Sequence, residues 1–211
     1  MTMLRVMGAN SPRAVVFDLG GVLIDWNPRY LYRTIFGADT AAMEHFLTDV
    51  CSPAWNHEQD SGRSFAEGCA LLVREFPEAR PLIEAWRERF DETLGGPIAG
   101  TVEILAALRE RRVPLYALSN WWAETFPVAR ARFDFLGWFD GIVISGELGV
   151  AKPDPRIFAH LLETYRLRAG TTVFIDDVPA NIEAAAAAGM QTIPFTDPDA
   201  LRTALRELGL L

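Results

Sequence analysis

The sequence predicts an α/β fold, a doubly wound parallel sheet into which an α-helical module is inserted. Three observations lead there. Short, apolar, β-branched runs recur along the 211-residue chain and are separated by segments of helical periodicity. Polar residues follow directly on several of those runs, as they do at the carboxyl edge of an open parallel sheet. One long stretch, residues 27–96, breaks the alternation with helical patterns and no convincing strand.

The first run, Ala14-Val15-Val16-Phe17, is wholly apolar and leads into Asp18 and then Gly20-Gly21, the pattern of a buried parallel strand feeding a turn. Asn27-Pro28 is a helix start and Gly95-Gly96-Pro97 a stop and hinge, so residues 27–96 read as a helical insertion. The remainder, 13–26 with 97–211, forms the α/β core. Its later strands are expected at Val113 to Leu118, Gly141 to Ile144, Thr171 to Ile175 and Gln191 to Phe195. Helices are expected at Ile98 to Arg111, Pro155 to Tyr165 and Pro179 to Ala188, the last stopped by Gly189. Right-handed crossovers between these strands would cover both faces of the sheet.

Half of the residues are hydrophobic and 23% are charged, the balance of a chain that folds throughout. The formal net charge of −8 offers no basic footprint for nucleic acid or for an anionic membrane surface. A small phosphorylated metabolite is compatible with it, because a bound cation can reverse the potential inside a cleft. Cys51 and Cys69 have no metal-ligand spacing and read as free thiols of a reducing compartment. Met1 to Pro12 has no apolar stretch of the leader type, and nowhere do apolar residues run long enough to span a bilayer, so the cytoplasm is the expected location.

The residues placed just beyond the apolar runs form a set: Asp18 after the first, Ser119 and Asn120 after the second, Lys152 beyond the third, and Asp176 with Asp177 at the fourth. Brought together, the three carboxylates would repel one another, which calls for a hard cation with oxygen ligands, magnesium being the best match. With that charge and Lys152 offsetting it, and Ser119 donating a hydrogen bond, a phosphoryl group would sit against Asp18. The Asp18 carboxylate would then attack phosphorus in line and give an aspartyl phosphate for water to cleave.

Phe17-Asp18-Leu19-Gly20-Gly21-Val22-Leu23, Leu118-Ser119-Asn120, Lys152-Pro153 and Phe174-Ile175-Asp176-Asp177 resemble the four ordered motifs of the haloacid dehalogenase superfamily. The stretch from Gly146 to Thr192 is similar to sugar-phosphate phosphatases and to the phosphatase domain of soluble epoxide hydrolases. This resemblance implies a Rossmann-like core and a helical cap at 27–96. It also implies magnesium held by the Asp18 carboxylate, the Gly20 carbonyl and an acid of the Asp176-Asp177 pair, often the second. Substrate choice would then lie in the cap, with Trp55 and His57 as its expected contacts and Gly21 and Asn120 facing substrate from the core. A monomer or homodimer is expected.

One departure matters. Many phosphatases of this superfamily carry a second aspartate two residues after the nucleophile, which protonates the leaving group, and here that position is Gly20. Such acid–base help is worth about 10²–10⁴-fold. Either another group such as Asp25, His57 or Glu58 supplies the proton, or the leaving group needs little of it; the second is favoured, and an anomeric sugar phosphate or an acyl phosphate would meet it, the Gly20-Gly21 pattern resembling bacterial phosphatases that act on hexose 1-phosphates. Two rivals follow from the same residues, a metal-free 2-haloacid dehalogenase and a weakened phosphate-binding regulatory protein. Asn181, one helical turn beyond Asp177, is a candidate to buttress the metal's ligands. His45 and His160 sit in helical patterns and read as packing or surface residues.

Overall fold

The computed structural model describes residues 12–211. The expectation for the N-terminus falls outside the described residues, apart from Pro12. The chain order is β1 (Ala14–Phe17), β2 (Ile24–Trp26), α1 (Arg29–Phe36), α2 (Thr40–His45), α3 (Pro53–Asp60), α4 (Phe65–Glu75), α5 (Arg80–Glu88) and β3 (Leu94–Pro97). Then follow α6 (Ala99–Glu110), β4 (Leu115–Ser119), α7 (Phe126–Arg132), β5 (Gly141–Ile144), α8 (Ser145–Leu148), α9 (Pro155–Thr164), β6 (Thr172–Asp176), α10 (Pro179–Ala187), β7 (Gln191–Pro194) and α11 (Pro198–Glu207).

Five strands form one parallel sheet in the order β5-β4-β1-β6-β7. The chain steps outward from β1 on one side through β4 and β5 and then returns to the other side through β6 and β7. β1 is therefore the switch point, and the carboxyl ends of its two neighbours flank its own. Phe17 is in register with Ala117 of β4 and with Ile175 of β6, so Asp18, Ser119 and Asp176 all emerge at one edge.

Each face of the sheet has its own core, which explains why the strands are apolar without alternation. Val15 and Phe17 pack with Ile104, Leu105 and Leu108 of α6 and with Leu201 and Leu205 of α11. Val16, Leu118 and Phe174 point the other way, against Ile157, Phe158 and Leu161 of α9 and Ala185 of α10. The first core continues into the helical insertion through Leu31, Tyr32, Phe46 and Trp86. Trp122, from the core, stacks on Trp86 at 6.0 Å between centroids and meets Trp55 edge-on at 5.6 Å. Glu124 adds polar anchorage, accepting from Phe65 N at 2.9 Å and pairing with Arg87 at 3.1 Å.

The helices of the insertion start where local chemistry allows. Ser52 Oγ accepts from Trp55 N at 3.1 Å ahead of Pro53, and Ser64 forms a capping box with Glu67. Two elements depart from the sequence expectation. Gly95-Gly96-Pro97 is part of a strand that pairs antiparallel with β2, Asp25 lying opposite Gly96, so the two legs of the insertion are tied at their base. A three-residue strand facing a glycine pair carries no readable alternation. α11 was also unforeseen, although Asp197 caps it through Asp199 N and Ala200 N. Cys51 and Cys69 are buried free thiols. Among the described residues no helix is long and apolar enough to cross a membrane.

Candidate active site

The turn after β1 aims Asp18. Leu23 N and Ile24 N both donate to Leu19 O at 2.8 Å, and Gly21 N donates to Ile24 O at 2.9 Å, which leaves the Gly20 carbonyl outside the turn's hydrogen bonds. Gly21 has φ +74, and a Cβ there would collide with the carboxylate of Asp177. Glycine is thus required twice over, for backbone and for space. A Cβ at Gly20 meets nothing within 4 Å.

The Asp18 carboxylate is held on one oxygen. Oδ1 accepts from Leu19 N at 2.7 Å and from Ser119 Oγ at 2.8 Å, and lies 3.0 Å from Lys152 Nζ. Lys152 is 1% exposed and reaches on to Asp176 Oδ2 at 2.6 Å. Asp176, fully buried, also accepts from Val178 N at 2.8 Å and from Asn181 Nδ2 at 3.0 and 3.1 Å. Both of its oxygens are hydrogen-bonded, whereas Asp177 next to it is exposed to the cavity. Asn181 thus braces Asp176 from α10, in keeping with its sequence position.

The charged groups of the site shift one another's ionisation. Burial, opposed by Lys152 and reinforced by Asp176, pushes the Asp18 carboxyl up to about 7. Burial would lower the Lys152 ammonium, but Asp18 and Asp176 outweigh it and hold it above its ordinary value. Asp177 is raised by burial and by Asp176. One ammonium does not balance the acids gathered here. Asp18, Asp176 and Asp177 each offer an oxygen, and those atoms lie within 4.8 Å of one another. Hard oxygen donors in excess of compensating cations, with a free carbonyl beside them, suit magnesium.

Above this edge lies a cavity of about 290 Å³. Asp18, Gly20, Gly21, Ser119, Lys152 and Asp177 form its floor. Asn120 lines it too, but its amide is turned to the Lys152 backbone. Trp26, Phe90, Trp121 and Trp122 give aromatic walls, and Val178 adds an apolar edge.

Trp55 and His57 do not reach this cavity, contrary to the sequence expectation. Trp55 is 7% exposed, packed among Phe65, Trp86 and Trp122, with its indole N–H on Gly68 O at 3.1 Å. His57 is exposed on an outward side of α3. The stretch is helical and not a loop, and at helical spacing it is Asn56 and Asp60, four residues apart, that share the cavity side. Both were missed. The only signal for them was that spacing, which acquires meaning once the face of α3 is known.

A family model described as haloacid dehalogenase-like hydrolase matches residues 12–189. The chain is similar to a sesquiterpene phosphatase, astK, of Aspergillus oryzae, with 30% identity across 93% of this chain and 96% of the relative. It is similar to a phosphorylated carbohydrates phosphatase of Thermotoga maritima, with 27% identity across 85% of this chain and 83% of the relative. Among solved structures, a HAD family enzyme of Bacteroides thetaiotaomicron, a mutant in complex with magnesium and inorganic phosphate, shares the fold with a TM-score of 0.65. That comparison has 20% identity and covers 88% of this chain and 95% of the other. The ordered motifs, the parallel sheet that gathers their side chains at one edge and the family match agree, and the chain belongs to the haloacid dehalogenase-like hydrolases.

Proposed function

We propose that this protein is a magnesium-dependent phosphatase that hydrolyses a small phosphate ester through an aspartyl phosphate on Asp18. The observation that carries the proposal is the held carboxylate of Asp18, fixed through Oδ1 by Ser119 and Lys152 at the floor of a cavity, beside two further acids. The names of the two curated relatives and the ligands of the Bacteroides enzyme support it. The Asp18 carboxylate, the Gly20 carbonyl and Asp177 would hold magnesium, with Asp176 orienting the group from beneath. Magnesium would supply charge compensation that keeps Asp18 ionised and draws in an anionic phosphoryl group. Asp18 attacks phosphorus; Ser119 and Lys152 position it and offset negative charge on the phosphoryl oxygens. Docked helices above the site limit bulk water.

We propose two candidate substrate classes. A hexose 1-phosphate answers the leaving-group consideration raised by Gly20. An ester with an apolar leaving group answers the walls formed by Trp26, Phe90, Trp121 and Trp122. The test is a panel of glucose 1-phosphate, glucose 6-phosphate, farnesyl monophosphate, nucleotides and acetyl phosphate, with magnesium or EDTA, beside Asp18→Asn. Magnesium-dependent turnover abolished in Asp18→Asn is expected. No turnover of any ester would overturn the proposal, and faster cleavage of the 6-phosphate than the 1-phosphate would remove the hexose 1-phosphate.

A further inference from the structure

Asp60 is a buried acid that the mechanism above leaves unused. It is 9% exposed, lines the cavity that holds Asp18, and has no ion-pair partner among the described residues. Asn56 Nδ2 donates to its Oδ2 at 3.0 Å from one turn earlier on α3. An isolated carboxyl in such a place costs stability when it ionises, and a merely structural role would be filled better by a neutral side chain.

With an alkyl ester, whose leaving oxygen is a poor leaving group, the reaction needs a proton donor at this place. Gly20 has no side chain to give. Asp25 does not line the cavity and accepts from Tyr30 Oη at 2.7 Å. His57 and Glu58 face solvent on other sides of α3. Asp176 is fully buried, does not line the cavity and is held by Lys152, Val178 and Asn181, and Asp177 is assigned to the metal on the proposed reading. Among the described residues, Asp60 is the remaining carboxyl that lines the cavity.

Its position is set by docking. One side of α3 sends Trp55 into the aromatic cluster, and just past its end Gly62 lies so close to the core that a Cβ would meet Gly149 Cα at 2.9 Å. These contacts hold the last turn of α3 against the loop that leads to Lys152, with Asp60 lining the same cavity as the floor residues.

On the phosphatase reading, we infer that Asp60 is the acid–base group of this enzyme, supplied by the helical insertion in place of a residue at position 20. In the first step Asp18 forms a bond to phosphorus, the ester P–O bond breaks, and the Asp60 carboxylic acid passes its proton to the departing oxygen, giving the alcohol. In the second, the Asp60 carboxylate takes a proton from water as its oxygen attacks the aspartyl phosphate, releasing Asp18 and inorganic phosphate.

The ionisation of Asp60 suits the role. Burial and then Asp18 raise its carboxyl, against Lys152, to about 7. The groups facing it are Asp18 from β1, Lys152 from the loop after α8, Asp177 after β6 and the Asn56 amide of its own helix. Burial, the larger of the two causes, favours the acid form.

The test is Asp60→Asn, assayed with magnesium on an alkyl phosphate and on p-nitrophenyl phosphate, whose leaving group needs no proton. Turnover of the alkyl ester should fall by about 10²–10⁴-fold. p-Nitrophenyl phosphate should instead give a burst of about one nitrophenolate per protein followed by slow turnover, since transfer to Asp18 survives and hydrolysis of the aspartyl phosphate does not. Adding Gly20→Asp, whose side chain has open space, should restore alkyl ester cleavage. Equal losses on both esters without a burst, or no loss, would overturn the inference while leaving the phosphatase reading standing. Wild-type protein that cleaves neither ester nor any member of the panel above would overturn both.

Discussion

Asn120 and Lys152 exchange two hydrogen bonds across 32 positions of sequence: Lys152 N donates to Asn120 Oδ1 at 2.8 Å, and Asn120 Nδ2 donates to Lys152 O at 2.9 Å. The side chain after β4 thereby fixes the backbone from which the buried lysine reaches Asp18. Asn120→Ala should lower kcat by about 10–100-fold, the scale of losing a partner that orients a ligating group. Stability should drop by about 1–3 kcal/mol, the cost of unpaired buried backbone groups. Kinetics and denaturant melts on one preparation would check both.

Lys152 is flanked by Asp18 and Asp176, so its removal leaves two buried acids facing each other. In EDTA, Lys152→Met should lose about 3–5 kcal/mol near neutral pH. The loss should shrink in acid, where Asp18 takes up its proton. Urea melts at pH 7.5 and pH 4.5 would show it.

Asp60 makes the opposite prediction. Its carboxyl titrates at about 7 in the fold and near 4 in the unfolded chain. Between those values the native state holds the extra proton, so this group's contribution to stability falls as pH rises from about 4 and is fully lost above about 7. Asp60→Asn, measured without metal, should be more stable than wild type by about 4 kcal/mol at pH 8 and no different at pH 4.

Magnesium should stabilise the protein as well as activate it. At a hundredfold excess over its dissociation constant it would add about 2.7 kcal/mol, seen as a rise in Tm. Asp177→Asn should remove most of that rise, since Asp177 is the exposed acid next to Gly21. Activity on a 2-haloacid that persists in EDTA would instead favour dehalogenation.

Gly20 and Gly21 should respond differently to the same substitution. Gly20→Ala meets open space and should leave the fold intact. Gly21→Ala has a positive φ and strikes the Asp177 carboxylate, so magnesium affinity and Tm should both fall. Thermal shifts with and without magnesium would separate the two.

Much of this molecule was legible before folding. Runs such as Ala14–Phe17 and Thr172–Asp176 are buried on both faces, and their apolar character survives in the linear chain because each residue must face a core. Asp18, Ser119, Lys152, Asp176 and Asp177 could be grouped because each follows such a run, and a parallel sheet sends all of its carboxyl ends to one edge. The insertion was visible only as helices. Which side of α3 looks inward depends on Trp55 finding Trp86 and Trp122 and on Gly62 meeting Gly149, contacts between residues far apart in sequence. Local periodicity therefore determined the sheet and the floor of the site, while docking of the insertion decided its roof, turning His57 to solvent and enclosing Asp60, because a helix face acquires its environment only from what packs against it.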